Sequence, residues 1–129
     1  MSYLQGPKNI QVSRMAKIEV VRRPSLITPR HLLRYIFFTD MQVDQASKIL
    51  NTLMKKKGKI KDSQWQSFVL TSRGLYVKVM RKLRDVGLVE KAEGEFLLSG
   101  NFSQSLEKLA ESWTNIIEAH KSGDQSIKF

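Results

Sequence analysis

Residues 73–98 constrain the fold more than any other stretch of this chain. They read RGLYVKVMRKLRDVGLVEKAEGEFLL. One helix face collects the apolar positions Leu75, Tyr76, Val79, Leu83 and Val86, with Met80 at its edge. Gly87 then supplies a residue typical of helix ends, and two apolar runs follow around an Ala-Glu-Gly turn. The stretch therefore predicts an amphipathic helix over 73–86 that leads directly into a β-hairpin.

The preceding residues predict a second helix, a short strand and a third, shorter helix. Asp40 is a candidate N-cap, and the apolar stripe that follows is Val43, Ala46, Ile49, Leu50, Leu53 and Met54. The basic turn Lys55-Lys56-Lys57-Gly58 favours a helix end, and 59–61 leave room for only a very short strand. Asp62 or Ser63 then caps a short helix whose inner side carries Trp65, Phe68, Val69 and Leu70. Thr71-Ser72 ends it and caps the helix that follows.

The flanking segments complete an α+β chain that is mainly helical with a small hairpin. Residues 1–24 are interpreted as a basic arm with one possible short strand at 18–21, and 25–39 as a buried helix, although 35–38 could also form a strand. A last helix over 102–121 carries an apolar stripe, and 122–129 form a polar tail. One domain over 25–101 is expected between the arm and this helix.

The charge of the chain favours a polyanionic partner. Lysine and arginine number 22 against 12 aspartate and glutamate, which gives a formal net charge of +10. Nucleic acid is the first candidate, and an anionic membrane surface is the second. The positive charge lies in the first two thirds of the chain, since residues 91–129 hold four basic and six acidic residues. The binding face is therefore expected within residues 1–90.

The compartment is predicted from what the composition lacks. The chain contains no cysteine, which excludes disulfides and thiolate chemistry and agrees with a reducing compartment. The longest strongly apolar run, 35–38, is far too short to cross a bilayer, and the N-terminus lacks the apolar stretch of a signal peptide. We therefore expect a cytoplasmic protein, and because nucleic acid is the favoured polyanion, a nucleoid-associated one.

The order of predicted elements over 41–98 resembles the winged helix-turn-helix domain of small bacterial and archaeal transcription regulators. The likeness rests on Val79, Met80 and Leu83, followed by 84–91 and 94–99. The flanking helices are similar to those of MarR- or PadR-type dimeric regulators. The resemblance implies that 73–86 is a recognition helix, that 88–98 is a wing, and that the partner is double-stranded DNA.

The outward side of the predicted recognition helix supplies the candidate DNA contacts. Lys78 and Arg81 can reach guanine acceptors in the major groove, and Val77 can touch a thymine methyl. The candidate phosphate contacts are Ser72, Arg73, Lys82, Arg84, Lys55, Lys56, Lys57 and Lys59. The alternative is that this basic face, and the lysine run at 55–61, are simply solvated.

The arm carries several basic residues, whereas the hairpin carries only one. The hairpin tip holds Glu93 and Glu95 with only Lys91 nearby, so we do not expect it to enter the minor groove. The basic arm, through Lys8, Arg14, Lys17 or Arg22, is the candidate for that role. A disordered tail, or a strand within a dimer, is an equal alternative for the arm.

The last helix is predicted to pair two copies of the chain, because a helix after the hairpin has little core left to cover. The candidate interface residues are Leu106, Leu109, Trp113, Ile116 and Ile117. A twofold dimer implies a palindromic site with half-sites about one DNA turn apart. Trp65 is instead assigned to the core between helices.

Catalysis, cofactors and metals have no support in the sequence. His31 and His120 are far apart, and no metal-ligand spacing, phosphate-binding loop or nucleophile motif occurs. A transcription or partition protein is a possible partner. The alternative functions are a winged-helix interaction module, a nonspecific DNA- or RNA-binding component of nucleoid, partition, replication or transcription machinery, and, more weakly, membrane-surface association through the arm.

Overall fold

The computed structural model of the protein describes residues 18–55 and 59–129. In chain order, the elements are α1 (Pro29–Arg34), α2 (Asp40–Lys55), β1 (Lys59–Lys61), a 3-10 helix (Asp62–Phe68), α3 (Arg73–Val86), β2 (Val89–Ala92), β3 (Glu95–Leu98) and α4 (Asn101–Lys121). Helices dominate, and the strands form one small antiparallel sheet. The α+β prediction is confirmed, and the layout is compatible with a winged-helix domain.

The sheet joins the predicted hairpin to the predicted short strand. Its strand order is β1-β3-β2, with Ile60 of β1 opposite Phe96 and Lys91 of β2 opposite the same residue. Ile60 and Phe96 are buried, whereas Lys59 and Lys61 on either side of Ile60 are exposed. This alternation is the period-two pattern of a sheet with one face on a core.

A single cluster of buried apolar side chains connects α1, α2, α3 and the inner face of the sheet. Its members with no measurable exposure are Ala46, Ile49 and Leu53 of α2, Phe68 of the 3-10 helix, and Val79 and Leu83 of α3. These α2 residues belong to the predicted stripe. The predicted stripe also includes Met54, which is instead 69% exposed, because it lies one position past the buried Leu53 and turns away from the core.

The predicted buried helix over 25–39 is wrong in extent, since α1 has only six residues. Thr28 is extended at φ −128°, as the residue before a proline prefers, so the helix starts at Pro29. It ends at Tyr35, after which the chain turns into α2. The possible strand at 18–21 does not form; the Glu19 amide instead donates to the Tyr35 carbonyl at 2.6 Å.

The N-cap of α2 is Thr39, not the predicted Asp40. The Gln42 amide donates to Thr39 Oγ1 at 3.1 Å, and the Thr39 amide donates to Gln42 Oε1 at 3.3 Å. This is a capping box, which needs a glutamine or glutamate three residues after the cap, and Thr39 rather than Asp40 has one. Asp40 becomes the first helical residue and pairs with Arg34 at 2.8 Å.

The short helix predicted after β1 is a 3-10 helix, kinked at Gln64, without the expected side-chain cap from Asp62 or Ser63. Phe68 is buried and Trp65 and Val69 are half-buried, but Leu70 is exposed. Leu70 lies outside the helix because of Gln45 in α2. The buried side-chain amide of Gln45 donates a hydrogen bond to the Phe68 carbonyl at 2.6 Å and accepts one from the Leu70 backbone amide at 3.1 Å. These bonds replace further helical ones and fix the turn before α3.

The prediction for residues 73–98 is confirmed in detail. Ser72 caps α3, and Gly87 ends it at φ 89°, a left-handed conformation that favours glycine. A Cβ atom at Gly87 would lie 2.7 Å from the Phe102 amide nitrogen, which itself donates to the Gly87 carbonyl at 3.0 Å. Gly87 therefore joins the end of α3 closely to the start of α4.

Candidate nucleic-acid interface

Helix α3 has one buried and one exposed side, as its spacing predicts. Its buried residues are Tyr76, Val79, Met80, Leu83 and Val86. The exposed residues are Arg73, Gly74, Val77, Lys78, Arg81, Arg84 and Asp85. The three predicted base-reading residues thus share one exposed surface, which we call the α3 outer face.

The cations of the α3 outer face are not neutralised by ion pairs within the described chain. The ion pairs among the described residues join Arg30 to Asp44, Arg34 to Asp40 and Lys91 to Asp62. None of them uses Lys78, Arg81 or Arg84. The positive charge of this face is therefore directed to solvent.

The first turn of α3 carries two small residues, Ser72 and Gly74. Ser72 Oγ accepts a hydrogen bond from the Leu75 amide at 3.2 Å, so this predicted phosphate contact already serves as the helix cap. Gly74 has open space where a Cβ would stand. Nothing within the described chain requires glycine at this helical position, although glycine is a poor helix former.

Two predicted phosphate contacts lie against aromatic rings. The Arg73 guanidinium carbon is 4.8 Å from the centroid of the Trp65 ring. The Lys82 amino group is 4.8 Å from the Phe38 centroid and 5.4 Å from that of Phe37. Lys82 is consequently half-buried, unlike the exposed Arg73 and Arg84.

Tyr76 lies behind this surface and stays uncharged. Burial raises the pKa of its hydroxyl above the ordinary value of 10.0, and the Asp62 carboxylate raises it further; Arg84 and Arg73 act in the opposite direction. A phenol with a pKa of 10.0 or above is neutral at physiological pH. The positive charge of the α3 outer face is therefore not reduced by a tyrosinate.

The remaining predicted phosphate and arm residues lie outside α3 in the chain. Lys55 at the end of α2 and Lys59 in β1 are exposed, as is Arg22 of the arm. Lys59 and Leu97 are register partners in β1 and β3. Lys56, Lys57, Lys8, Arg14 and Lys17 lie outside the described residues.

The hairpin tip is tied to the body of the domain rather than projecting from it. The Lys91 amino group lies 2.7 Å from an Asp62 carboxylate oxygen, and the Asp62 amide donates to the Gly94 carbonyl at 2.8 Å. The lysine that the hairpin itself carries is thus paired, and the hairpin tip retains the exposed Glu93. This arrangement is unfavourable for phosphate contact.

Helix α4 exposes an apolar face beyond its contact with the domain. Phe102 is buried, and Leu106 packs against the core. Leu109 and Trp113 are 68% and 56% exposed. Ile116 and Ile117 are half-buried, and with the half-buried Ile127 they line a shallow groove where the C-terminal residues run back along the helix.

Residues 18–55 and 59–129 contain neither a metal-binding cluster nor a helix that could span a membrane. This part of the chain holds no group of three or more histidine or acidic side chains arranged to bind a metal ion. None of its helices is both long and apolar enough to cross a membrane.

Comparison with known proteins yields one family. Residues 27–118, from just before α1 into α4, match a family described as an archaeal family. The chain belongs to that archaeal family. No curated protein and no solved structure matches the chain significantly. The family match thus includes the whole α3 outer face and most of α4.

Two contacts of this region are not predicted from the sequence. Trp65 packs against the core as predicted, but it is half-buried and also lies beneath the Arg73 guanidinium. The sequence also gives no prediction for Gln45, which is buried and holds the turn before α3 through its side-chain hydrogen bonds.

Proposed function

We propose that the protein is a homodimeric, sequence-specific double-stranded DNA-binding protein of the winged helix-turn-helix class, and that it acts as a nucleoid-associated transcription regulator. The observation that carries the proposal is the α3 outer face, where Lys78 and Arg81 stand exposed and without ion pairs on a capped helix. In this reading, Val77, Lys78 and Arg81 contact base edges in the major groove.

Phosphate contacts surround this base-reading strip. Arg73 and Arg84 lie on the same helix, and in this proposal the exposed Lys55 and Lys59 add further contacts to the duplex backbone. Such contacts give affinity without sequence information and make binding strongly dependent on salt. The hairpin has no phosphate-binding role in this proposal, because Lys91 is paired with Asp62.

A second copy of the chain is the partner proposed for the apolar face of α4. Leu106, Leu109, Trp113 and Ile116 follow one another at steps of three, four and three residues, which is the spacing of helices that pair side by side. Large exposed apolar residues on a helix already anchored at Phe102 favour such pairing. A twofold dimer would present two α3 outer faces to one duplex.

Arg81→Ala should separate base reading from phosphate binding. We expect about 1–3 kcal/mol of lost affinity on a duplex selected from a random pool, with relaxed preference at one base pair. Lys55→Ala should instead weaken all duplexes alike. Fluorescence anisotropy at several salt concentrations measures both. Equal losses for Arg81→Ala on selected and random duplexes would contradict the base-reading role, and the absence of any preferred duplex would favour a nonspecific nucleic-acid or interaction module.

Gly74→Ala should move stability and DNA affinity in opposite directions. Alanine is the better helix former by up to about 1 kcal/mol, and the site has room for it, so the melting temperature should rise. The added methyl should obstruct close approach of the duplex and lower affinity. Gly100→Ala, which also enters open space, is the control and should leave affinity unchanged. Unchanged binding by Gly74→Ala would show that the duplex does not approach this turn.

Trp113→Glu should convert a dimer to a monomer, because a charge would replace the largest exposed apolar side chain of α4. Sedimentation velocity at micromolar concentration measures the change. Gln104→Glu places the same charge at an exposed polar position of α4 and should remain dimeric. A monomeric unaltered protein, or a dimeric Trp113→Glu variant, would exclude this interface.

A further inference from the structure

A continuous column of aromatic rings runs from the sheet to the start of α3. Phe96 of β3 contacts Phe68 edge to face, with centroids 5.7 Å apart. Phe68 stacks on Tyr76 at 5.9 Å, and Tyr76 stacks on Trp65 at 6.1 Å. Phe68 is fully buried and Trp65 is half-buried, so the column ends at the surface.

The Arg73 guanidinium is the outermost member of this column. Its carbon lies 4.8 Å from the Trp65 centroid, a distance at which a cation is attracted to the ring face. Arg73 is the first residue of α3, where the positive end of the helix dipole repels a cation. The helix itself therefore does not hold this charge in place, whereas the ring does.

A guanidinium that rests on an aromatic ring keeps its donors available. Its N–H groups lie in the plane of the group and can bind a phosphate at the edge while the face remains on the ring. Holding the side chain in one orientation before binding also reduces the entropy lost when the phosphate arrives. Trp65 in turn is stacked on Tyr76, which is itself stacked on the buried Phe68.

We propose that Trp65 is a positioning residue for DNA binding: its ring holds the Arg73 guanidinium in the orientation that grips a backbone phosphate beside the first turn of α3. The inference rests on the proposed function and adds a residue to the same site. Trp65 acts through Arg73 and does not itself read the sequence.

A double-mutant cycle on duplex affinity tests this role. Trp65→Leu should lower affinity about three- to tenfold, the range expected when one long side chain loses its preorganisation. Arg73→Gln should lower it at least as much, and the Trp65→Leu/Arg73→Gln protein should bind like Arg73→Gln alone. Trp65→Phe retains a ring face and should recover most of the affinity. Melting temperatures identify any loss that comes from unfolding.

The outcomes separate this inference from the proposed function. Additive losses from Trp65→Leu and Arg73→Gln, or undiminished binding by a folded Trp65→Leu protein, would overturn the positioning role while leaving DNA binding intact. Absence of duplex binding by the unaltered protein would overturn both proposals.

Tryptophan emission provides a second measurement if Trp65→Leu does not fold. In a Trp113→Phe protein, Trp65 is the remaining tryptophan, and saturating duplex should change its emission. The same titration of a Trp113→Phe/Arg73→Gln protein should give a much smaller change. Equal changes in both proteins, or none in the first, would overturn the inference.

Discussion

Burial of one side of α3 is the constraint on which the rest of the structure depends. Val79 and Leu83 have no exposed surface, and burying a large apolar side chain contributes about 1.5–3 kcal/mol. A surface ion pair contributes only about 0–1 kcal/mol. Apolar packing therefore sets the rotation of α3, and its cations occupy the surface that remains. Because these cations do little for stability, they can serve binding.

Two contacts fix the ends of α3 within the domain. Before its first residue, the buried side-chain amide of Gln45 forms hydrogen bonds with the Phe68 carbonyl and the Leu70 backbone amide, and so fixes the turn between them. At its end, Gly87 brings the chain so close to Phe102 that no larger residue fits without movement. The second contact couples α3 to α4. In the proposed dimer, the geometry of α4 pairing would consequently determine the separation of the two α3 outer faces.

The sequence predicted α3 and the hairpin well because several independent signals agreed there: helical periodicity, a serine cap and a glycine end. The sequence did not predict the extent of α1, because the apolar residues of 25–39 follow no helical period and Pro29 determines where the helix starts. The N-cap of α2 was predicted at Asp40 but is Thr39, because Gln42 lies three residues after Thr39 and completes a capping box with it. The candidate site was predicted as an exposed face, but the Trp65–Arg73 contact was not, because it requires the turn that Gln45 imposes from another helix.

We propose that the α3 outer face contacts the duplex. The most direct test is to titrate isotopically labelled protein with a short duplex and to follow amide chemical-shift changes in NMR spectra. We expect the largest changes between Ser72 and Arg84, with little change at Glu93 and Gly94 of the hairpin tip. Changes centred on the hairpin or on α4, with the α3 amides unmoved, would contradict it.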